Sequence, residues 1–485
     1  MKILFVSSEV HPFSKTGGLA DVSSGLPIAI SELGHDIKVI TPGYKSTLDK
    51  IEKFGLTLHR QQYDTFSLLF AHSAQNNVEI IFVDIPELYY RNGSPYGTSL
   101  GIDWPDNAER YNVFSDLAIK IALNELDLNW RADIVHCNDW QTGLIPAKLS
   151  HTPNRPATLF TIHNMAYLGL FSHSVFNHLA LPEDWWSWNK LEFHGQFSFL
   201  KAGILYADQI NTVSQTYADQ ICTHEYAYGM EGLLNLRSNR LSGILNGIDY
   251  KEWNPETDQR ISHHYNFEQI DNKVNNKLTL QQMLGLPRTA DVALIGMIGR
   301  MVEQKGYDLV EKILPQLMNH HVQVVVLGSG DKGLEQRYKV LQQQFPEQLS
   351  VTVDYDENLS HQIEAGADIF LMPSRFEPCG LNQLYSLRYG TVPIVNNTGG
   401  LADSVVDVTN ESLENRTATG FKFYAPQPEH LMSVVIRALN AYLNTDLWRQ
   451  LQENGMRFNS SWTHSAQNYI STYQKAIECQ EGTIQ

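Results

Sequence analysis

Three short stretches combine residue types suited to holding an anion beside a polyhydroxylated ligand. The first is Lys15, Thr16, Gly17, Gly18, Leu19, Ala20 and Asp21. Glycines there let backbone N–H groups at a helix start approach an anion, and Lys15 adds a full charge. The loop has neither the Gly-Lys-Ser/Thr order of a P-loop nor a G-x-G-x-x-G pattern, and a tight turn with a surface lysine would have the same composition. The second stretch runs Gly299, Arg300, Met301, Val302, Glu303, Gln304, Lys305, Gly306. Arg300 offers a planar fork and Lys305 a point charge, so both could converge on one diphosphate; solvated surface charge is the alternative. The third runs from Pro373 through Ser374, Arg375, Phe376, Glu377, Pro378, Cys379, Gly380 and Leu381 to Asn382. Pro and Gly fix that loop, the Gly380 N–H can face an anion, and Glu377 can bind hydroxyls or balance positive charge in a transition state. Gly399 and Gly400 form a further pair, followed by Leu401, Ala402 and Asp403.

Weaker signals accompany these. Asp139 and Trp140 follow Asn138, and His163 precedes Asn164; adjacent strand ends would put Asp139 and His163 on one rim, where carboxylate and imidazole could hold hydroxyls. Gly328, Gly330 and Gly333 form a literal G-x-G-x-x-G after an apolar run, which suggests dinucleotide binding and hence NAD-linked oxidoreduction as a rival function. A close backbone approach to some other nucleotide, or a plain strand-to-helix turn, accounts for the same three glycines. The histidine pairs His263–His264 and His320–His321 lack acidic or cysteine partners at ligand spacing, so no metal site is expected. Trp185, Trp186, Trp188, Phe193, Phe197 and Phe199 read as packing aromatics.

Elements able to position such loops recur along the chain. Apolar, β-branched runs alternate with longer helical patterns, as in parallel sheets flanked by helices. Expected strands in the first half are residues 2–7, 37–41, 80–84, 134–137, 159–163 and 209–213; in the second half they are 293–298, 322–327, 351–353, 369–372 and 391–395. The pattern restarts after an Asn-Gly turn at Asn246 and Gly247, so two α/β domains are expected, 1–244 and 245–460, with 461–485 as a terminal helical segment. In open parallel sheets the binding crevice lies beyond the carboxyl ends of the strands, where all three stretches fall. A chain of 485 residues at roughly 150 per domain supports two or three domains.

The formal net charge of −17 disfavours nucleic acid and anionic membranes as partners. It is spread out and screened beyond about 8 Å at physiological salt, so a local cation pair still governs a bound phosphate. Four cysteines without CxxC spacing suit a reducing cytoplasm, and the apolar start is too short for a signal peptide or a membrane span.

Together these motifs resemble the bacterial and plant-type glycogen and starch synthases, family 5 of the retaining glycosyltransferases. The resemblance rests on Lys15–Leu19, His163–Asn164, Arg300 with Lys305–Gly306, Ser374–Leu381 and Thr398–Asp403, in order over nearly the whole chain. It implies the GT-B fold, two Rossmann-like domains facing an interdomain cleft, with 1–244 on the acceptor side, 245–460 on the ADP-glucose side and a terminal helix returning to the first domain. It implies transfer of glucose from ADP-glucose to the non-reducing end of an α-1,4-glucan with retention, without a metal or cofactor; UDP-glucose as donor and a non-catalytic glucan binder are the alternatives, and oligomeric state stays open. By position, Lys15 and Gly18, with Asp21 nearby, would meet the donor phosphate, and Arg300 and Lys305 would neutralise leaving ADP. Asp139, His163, Asn164, Asn246 and Glu377 would line the glucose site. Cys379, Gly380, Leu381 and Asn382 would hold sugar and phosphate, and Tyr355 would stack near adenine. Asn138, Gln141, Asn382 and Asn396–Asn397 depart from the common pattern of the family, which bears on substrate preference and, at Asn382, on turnover; Tyr385 stands where related retaining families carry a second Glu, which this subfamily often lacks.

Overall fold

The computed structural model describes residues 1–72 and 76–483. Two compact units divide the chain: Met1–Gly247 with Trp462–Gln485, and Ile248–Ser461. The first is built on a nine-stranded sheet ordered Leu241–Gly243, Gln209–Thr212, Ala157–Ile162, Ile134–Asn138, Lys2–Val6, Asp36–Pro42, Glu79–Asp84, Ser67–His72, Thr57–Gln62. The first seven pair in parallel, and the last two join as an antiparallel hairpin that the sequence reading did not anticipate. Thr57–Gln62 is an exposed edge with polar side chains, so it carries little of the apolar signal that marks a strand. Three two- or three-residue strands, Leu170–Phe171, Gln196–Ser198 and Glu192–Phe193, form a separate small sheet, too short to register as period-two patterns.

The central strand Lys2–Val6 is apolar on both faces because both are covered. Leu4 and Val6 join the core beneath the helix Asn107–Leu123, and Ile3 and Phe5 join a second core with Val22, Leu26, Tyr469 and Tyr473. That second core is roofed by the helix Gly18–Glu32 and the terminal helix Trp462–Thr483. Tyr473 Oη lies 2.8 Å from His136 Nδ1, and Asn211 Nδ2 donates to Tyr469 Oη at 3.3 Å, so buried polar groups as well as apolar area fix the terminal helix on this sheet. Gly25 has no side chain because the Trp462 ring fills its place; a Cβ would lie 2.0 Å from Nε1.

The second unit has a six-stranded, wholly parallel sheet ordered Leu349–Thr352, Val322–Leu327, Ala293–Ile298, Ile369–Met372, Val392–Asn396, Phe421–Phe423. Its strands are near-continuous Val/Ile/Leu runs buried on both faces. Strand order reverses between Ala293–Ile298 and Ile369–Met372, and in the first unit between Lys2–Val6 and Ile134–Asn138. Crevices open at such switch points, so the loops after these four strands are the ones positioned to bind.

Candidate functional site

In the second unit the loops flanking the switch point are Gly299–Gly306 and Pro373–Leu381, and they are locked together. Gly306 sits at φ +76°, and a Cβ there would come within 2.2 Å of the Pro373 carbonyl oxygen, so only glycine allows the approach. Arg375 N–H donates to Gln304 O at 2.8 Å, and its guanidinium forks onto Asp308 with two bonds of 2.7 Å. Arg375 is therefore a strut and not an anion ligand. The result places Lys305 Nζ 2.5 Å from Glu377 Oε2, which also accepts from Ser374 Oγ at 3.1 Å. The Lys305 side chain is 21% exposed and that of Glu377 9%. A partly covered ion pair of this kind needs both members, since either alone would be a poorly solvated charge. Arg300 is exposed and forms no ion pair among the described residues.

Gly399 and Gly400 serve Glu377 from below. Gly400 N–H donates to Glu377 O at 3.1 Å and Pro378 O at 3.0 Å, and a Cβ on Gly400 would lie 2.1 Å from Cys379 O. The sequence singles this pair out only as glycines leading into Leu401, Ala402 and Asp403 and as part of the family resemblance, with no role toward Glu377. Cys379 is buried, Gly380 has φ +76°, and Leu381 precedes the helix Asn382–Arg388. Asn382 Nδ2 donates to Ile298 O at 2.9 Å, tying the helix start to the neighbouring strand end. Tyr355 is 72% exposed on the segment before the helix Glu357–Gly366.

The G-x-G-x-x-G motif has a packing explanation. A Cβ at Gly328 would lie 1.9 Å from Gly299 O, Gly330 forms a parallel bridge with Met301, and Gly330 N–H is bound by Glu335 Oε1 at 2.9 Å. Asp331 caps the following helix through Leu334 N–H at 2.8 Å. The glycines thus admit a neighbouring loop, and these two amides are satisfied internally.

In the first unit the Lys15–Asp21 loop is exposed at Lys15, Thr16, Gly17 and Gly18, and Lys15 Nζ pairs with Asp21 Oδ1 at 2.7 Å. The expectation that this whole turn offers amides to an anion needs correction. Buried Glu9 accepts from Thr16 N–H at 2.5 Å, Thr16 Oγ1 at 2.6 Å and Gly17 N–H at 3.4 Å, and also from Tyr96 Oη. Gly18 begins the helix Gly18–Glu32, whose N-cap Gly17 supplies no side chain. Glu9 is the residue sequence reasoning missed; an acid directly after an apolar strand was the available signal.

Across the switch point Asp139 occupies φ 56°, ψ −178°, a backbone shape costing a non-glycine residue about 1–3 kcal/mol. It is held there by its own carboxylate, which accepts from His163 N–H at 2.8 Å. Burial raises the Asp139 carboxyl to about 7, against the opposing pull of the His163 and Asn164 amides. Burial likewise lowers the His163 imidazole to about 3. Asn138 Nδ2 donates to Val6 O at 3.0 Å, so its Oδ1 accepts from His163 Nε2–H at 2.9 Å and leaves Nδ1 as the acceptor. Asn138 thereby sets the tautomer of His163. Asn164 Oδ1 accepts from Ala166 N–H at 3.0 Å, and Asn246 is buried with Oδ1 unpartnered, an atom suited to a ligand hydroxyl. Of the aromatic group, Trp185, Phe197 and Phe199 are core residues, whereas Trp188 is 81% exposed and does not pack as expected.

Each unit therefore presents, at the carboxyl ends of its own strands, a set of polar groups: cation, carboxylate and constrained amides in the second, lysine loop, neutral imidazole and amide oxygen in the first. Residues 2–236 match the family model for the starch synthase catalytic domain, and 285–457 that for glycosyl transferases group 1. A glycogen synthase of Cellvibrio japonicus is 51% identical over 97% of this chain and 98% of its own length. Glycogen synthase 1 of Methylococcus capsulatus is 50% identical over 98% and 97% respectively. The catalytic domain of starch synthase IV from Arabidopsis thaliana, bound to ADP and acarbose, superposes with a TM-score of 0.87 at 29% identity, covering 98% of this chain and 99% of that one. The fold is GT-B, two Rossmann-like parallel-sheet domains. No helix among the described residues is long and apolar enough to cross a membrane.

Proposed function

This chain belongs to the family of glycogen and starch synthases, glucosyltransferases that build glucan, and from that premise we propose that its donor is ADP-glucose and its acceptor the non-reducing end of an α-1,4-glucan. The observation that carries the reading is the Lys305–Glu377 pair at the switch point of the second unit. In the reaction the bond from C1 to the phosphate oxygen breaks, a bond from C1 to the acceptor O4 forms, and the acceptor proton passes to the departing phosphate. Positive charge grows on the sugar and negative charge on ADP. Lys305 and Arg300 meet the second, and Lys15 with the Gly18 amide are assigned to the same donor phosphate. Glu377, held at Oε2 by Lys305 and Ser374, balances the sugar charge, and retention is assigned to same-face attack assisted by the departing phosphate.

Neutral His163 and the Asn246 Oδ1 accept from glucose hydroxyls, beside Asp139 and Asn164. The amides of Cys379, Gly380 and Leu381 hold sugar and phosphate, and Tyr355 faces the adenine. The reading supplies all compensating charge from side chains and needs no cofactor. ADP in the starch synthase IV structure supports the donor assignment. The same reading implies a cytoplasmic protein, and the four cysteines carried as thiols support that. Purified protein given glycogen should release ADP from ADP-glucose at a kcat/KM well above that for UDP from UDP-glucose. A preference for UDP-glucose would overturn the donor, and no release from either would overturn the reading.

A further inference from the structure

A second polar cluster in the Ile248–Ser461 unit belongs to none of the groups assigned to sugar transfer. Glu357 and His361 are four residues apart on the helix Glu357–Gly366 and so project from one face of it. Glu252, from the segment just after the unit begins, completes a group whose ligand atoms all lie within 4.8 Å of one another. The sequence reading found no metal-ligand spacing because it sought it among paired histidines; a Glu-x-x-x-His on a helix with a distant third acid has no compact signature.

His361 is the informative member. It is 0% exposed, and its Nδ1 lies 2.7 Å from Asp258 Oδ2. Asp258 Oδ2 also accepts from Tyr389 Oη at 2.6 Å. A carboxylate only accepts, so Nδ1 carries the hydrogen toward Asp258, and Nε2 is the ring nitrogen left to act as a ligand. That Nε2 is buried without a hydrogen-bond partner. Trp253 stacks on the imidazole at 3.7 Å between centroids and 14° between planes, which fixes the plane of the ring. A buried lone pair beside two carboxylates calls for a cation. The Arg260 guanidinium donates to Glu252 Oε1 at 3.3 Å and lies 3.8 Å from Glu357 Oε1, so it is the cation these carboxylates hold in the metal-free site, but it makes no bond to the imidazole Nε2.

We propose that Glu252, Glu357 and His361 Nε2 bind one divalent transition-metal cation of the zinc class, with Arg260 displaced to solvent on binding. One imidazole and two carboxylates suit that class better than calcium or magnesium, which take oxygen ligands. The Asp258–His361 contact is the outer-shell support that metal-bound imidazoles ordinarily have, fixing the tautomer and raising ligand basicity. In tetrahedral geometry, bonds of about 2.0–2.2 Å set ligand atoms about 3.3–3.6 Å apart, so ligand atoms up to 4.8 Å apart must close by about 1 Å on binding, a shift within reach of the two partly exposed glutamates. Bound metal would staple the segment at Glu252 to the helix that follows Tyr355.

The test uses tag-free, full-length protein stripped with a chelator and titrated with Co²⁺ and then Zn²⁺. The expected result is one Co²⁺ per chain with visible d–d absorption and no thiolate charge-transfer band, displaced by Zn²⁺, together with a raised melting temperature in Zn²⁺. Glu252→Gln and Glu357→Gln, both partly exposed and so compatible with folding, should each weaken binding about tenfold or more and abolish the shift. Equal affinity in wild type and both variants, a thiolate spectrum, or no binding below millimolar metal would overturn the site. The last result would leave a proton on Nε2 as its cation.

Discussion

Lys305 Nζ and Glu377 Oε2 stand 2.5 Å apart although they come from two loops that follow different strands of one sheet. Each is held by the other loop: Gly306 presses on Pro373, and Arg375 reaches back to Gln304 and Asp308. Lys305→Ala and Glu377→Ala should each lower kcat about 10²-fold or more, the scale of one lost electrostatic contact to a transition state. Because the two act as a unit, the double variant should lose much less than the product of the single losses. A double-mutant cycle on kcat checks this, with near-wild-type rates in both single variants as the refuting result.

Gly400→Ala tests the floor beneath that pair. Its methyl would meet Cys379 O at 2.1 Å, so backbone must shift and carry Glu377 with it. Activity should fall at least tenfold while circular dichroism stays native. Unchanged kcat would show that the loop position does not matter.

Glu9→Ala tests the loop of the first unit. Removing the carboxylate leaves the Thr16 and Gly17 amides and the Thr16 hydroxyl to find other partners. Losing buried hydrogen bonds of this kind costs about 1–3 kcal/mol. Urea unfolding should show that loss, and donor KM should rise several-fold more than acceptor KM. Equal effects on both would place Glu9 outside donor binding.

His136 gives a pH prediction. Burial, with some repulsion from His163, holds its imidazole well below 6.5, between Tyr473 Oη and Thr161 Oγ1. A folded-state value below the unfolded one contributes stability that is complete above about pH 6.5 and is lost as pH falls. The stability difference between wild type and His136→Gln should therefore shrink by about 1 to 1.5 kcal/mol between pH 8 and 5.5, measured by urea unfolding at each pH. A difference that is constant with pH would contradict a neutral, buried His136.

The parallel strands and the loops after them were legible because buried strands of parallel sheets are unbroken apolar runs and because glycine, lysine and proline mark the binding turns. Lys305, Glu377 and His163 could be singled out from type and place in that pattern. What could not be read was who holds whom. Nothing in the order of residues says that Glu9 would take the amides of Thr16 and Gly17, that Gly400 would carry Glu377, or that Asn382 would spend its amide on Ile298 O. The edge strand Thr57–Gln62 escaped for another reason: its exposed residues give it no apolar face to detect. The G-x-G-x-x-G at Gly328 matched a pattern whose glycines here admit a neighbouring loop.

The most direct measurement follows labelled glucose from ADP-glucose into glycogen alongside the ADP released. One glucosyl unit should join glucan per ADP, all of it removable by an exo-acting α-1,4-glucan hydrolase, with about 10²-fold less of both products from Lys305→Ala. ADP released without label in glucan, or full transfer by the Lys305→Ala enzyme, would contradict the proposed transfer.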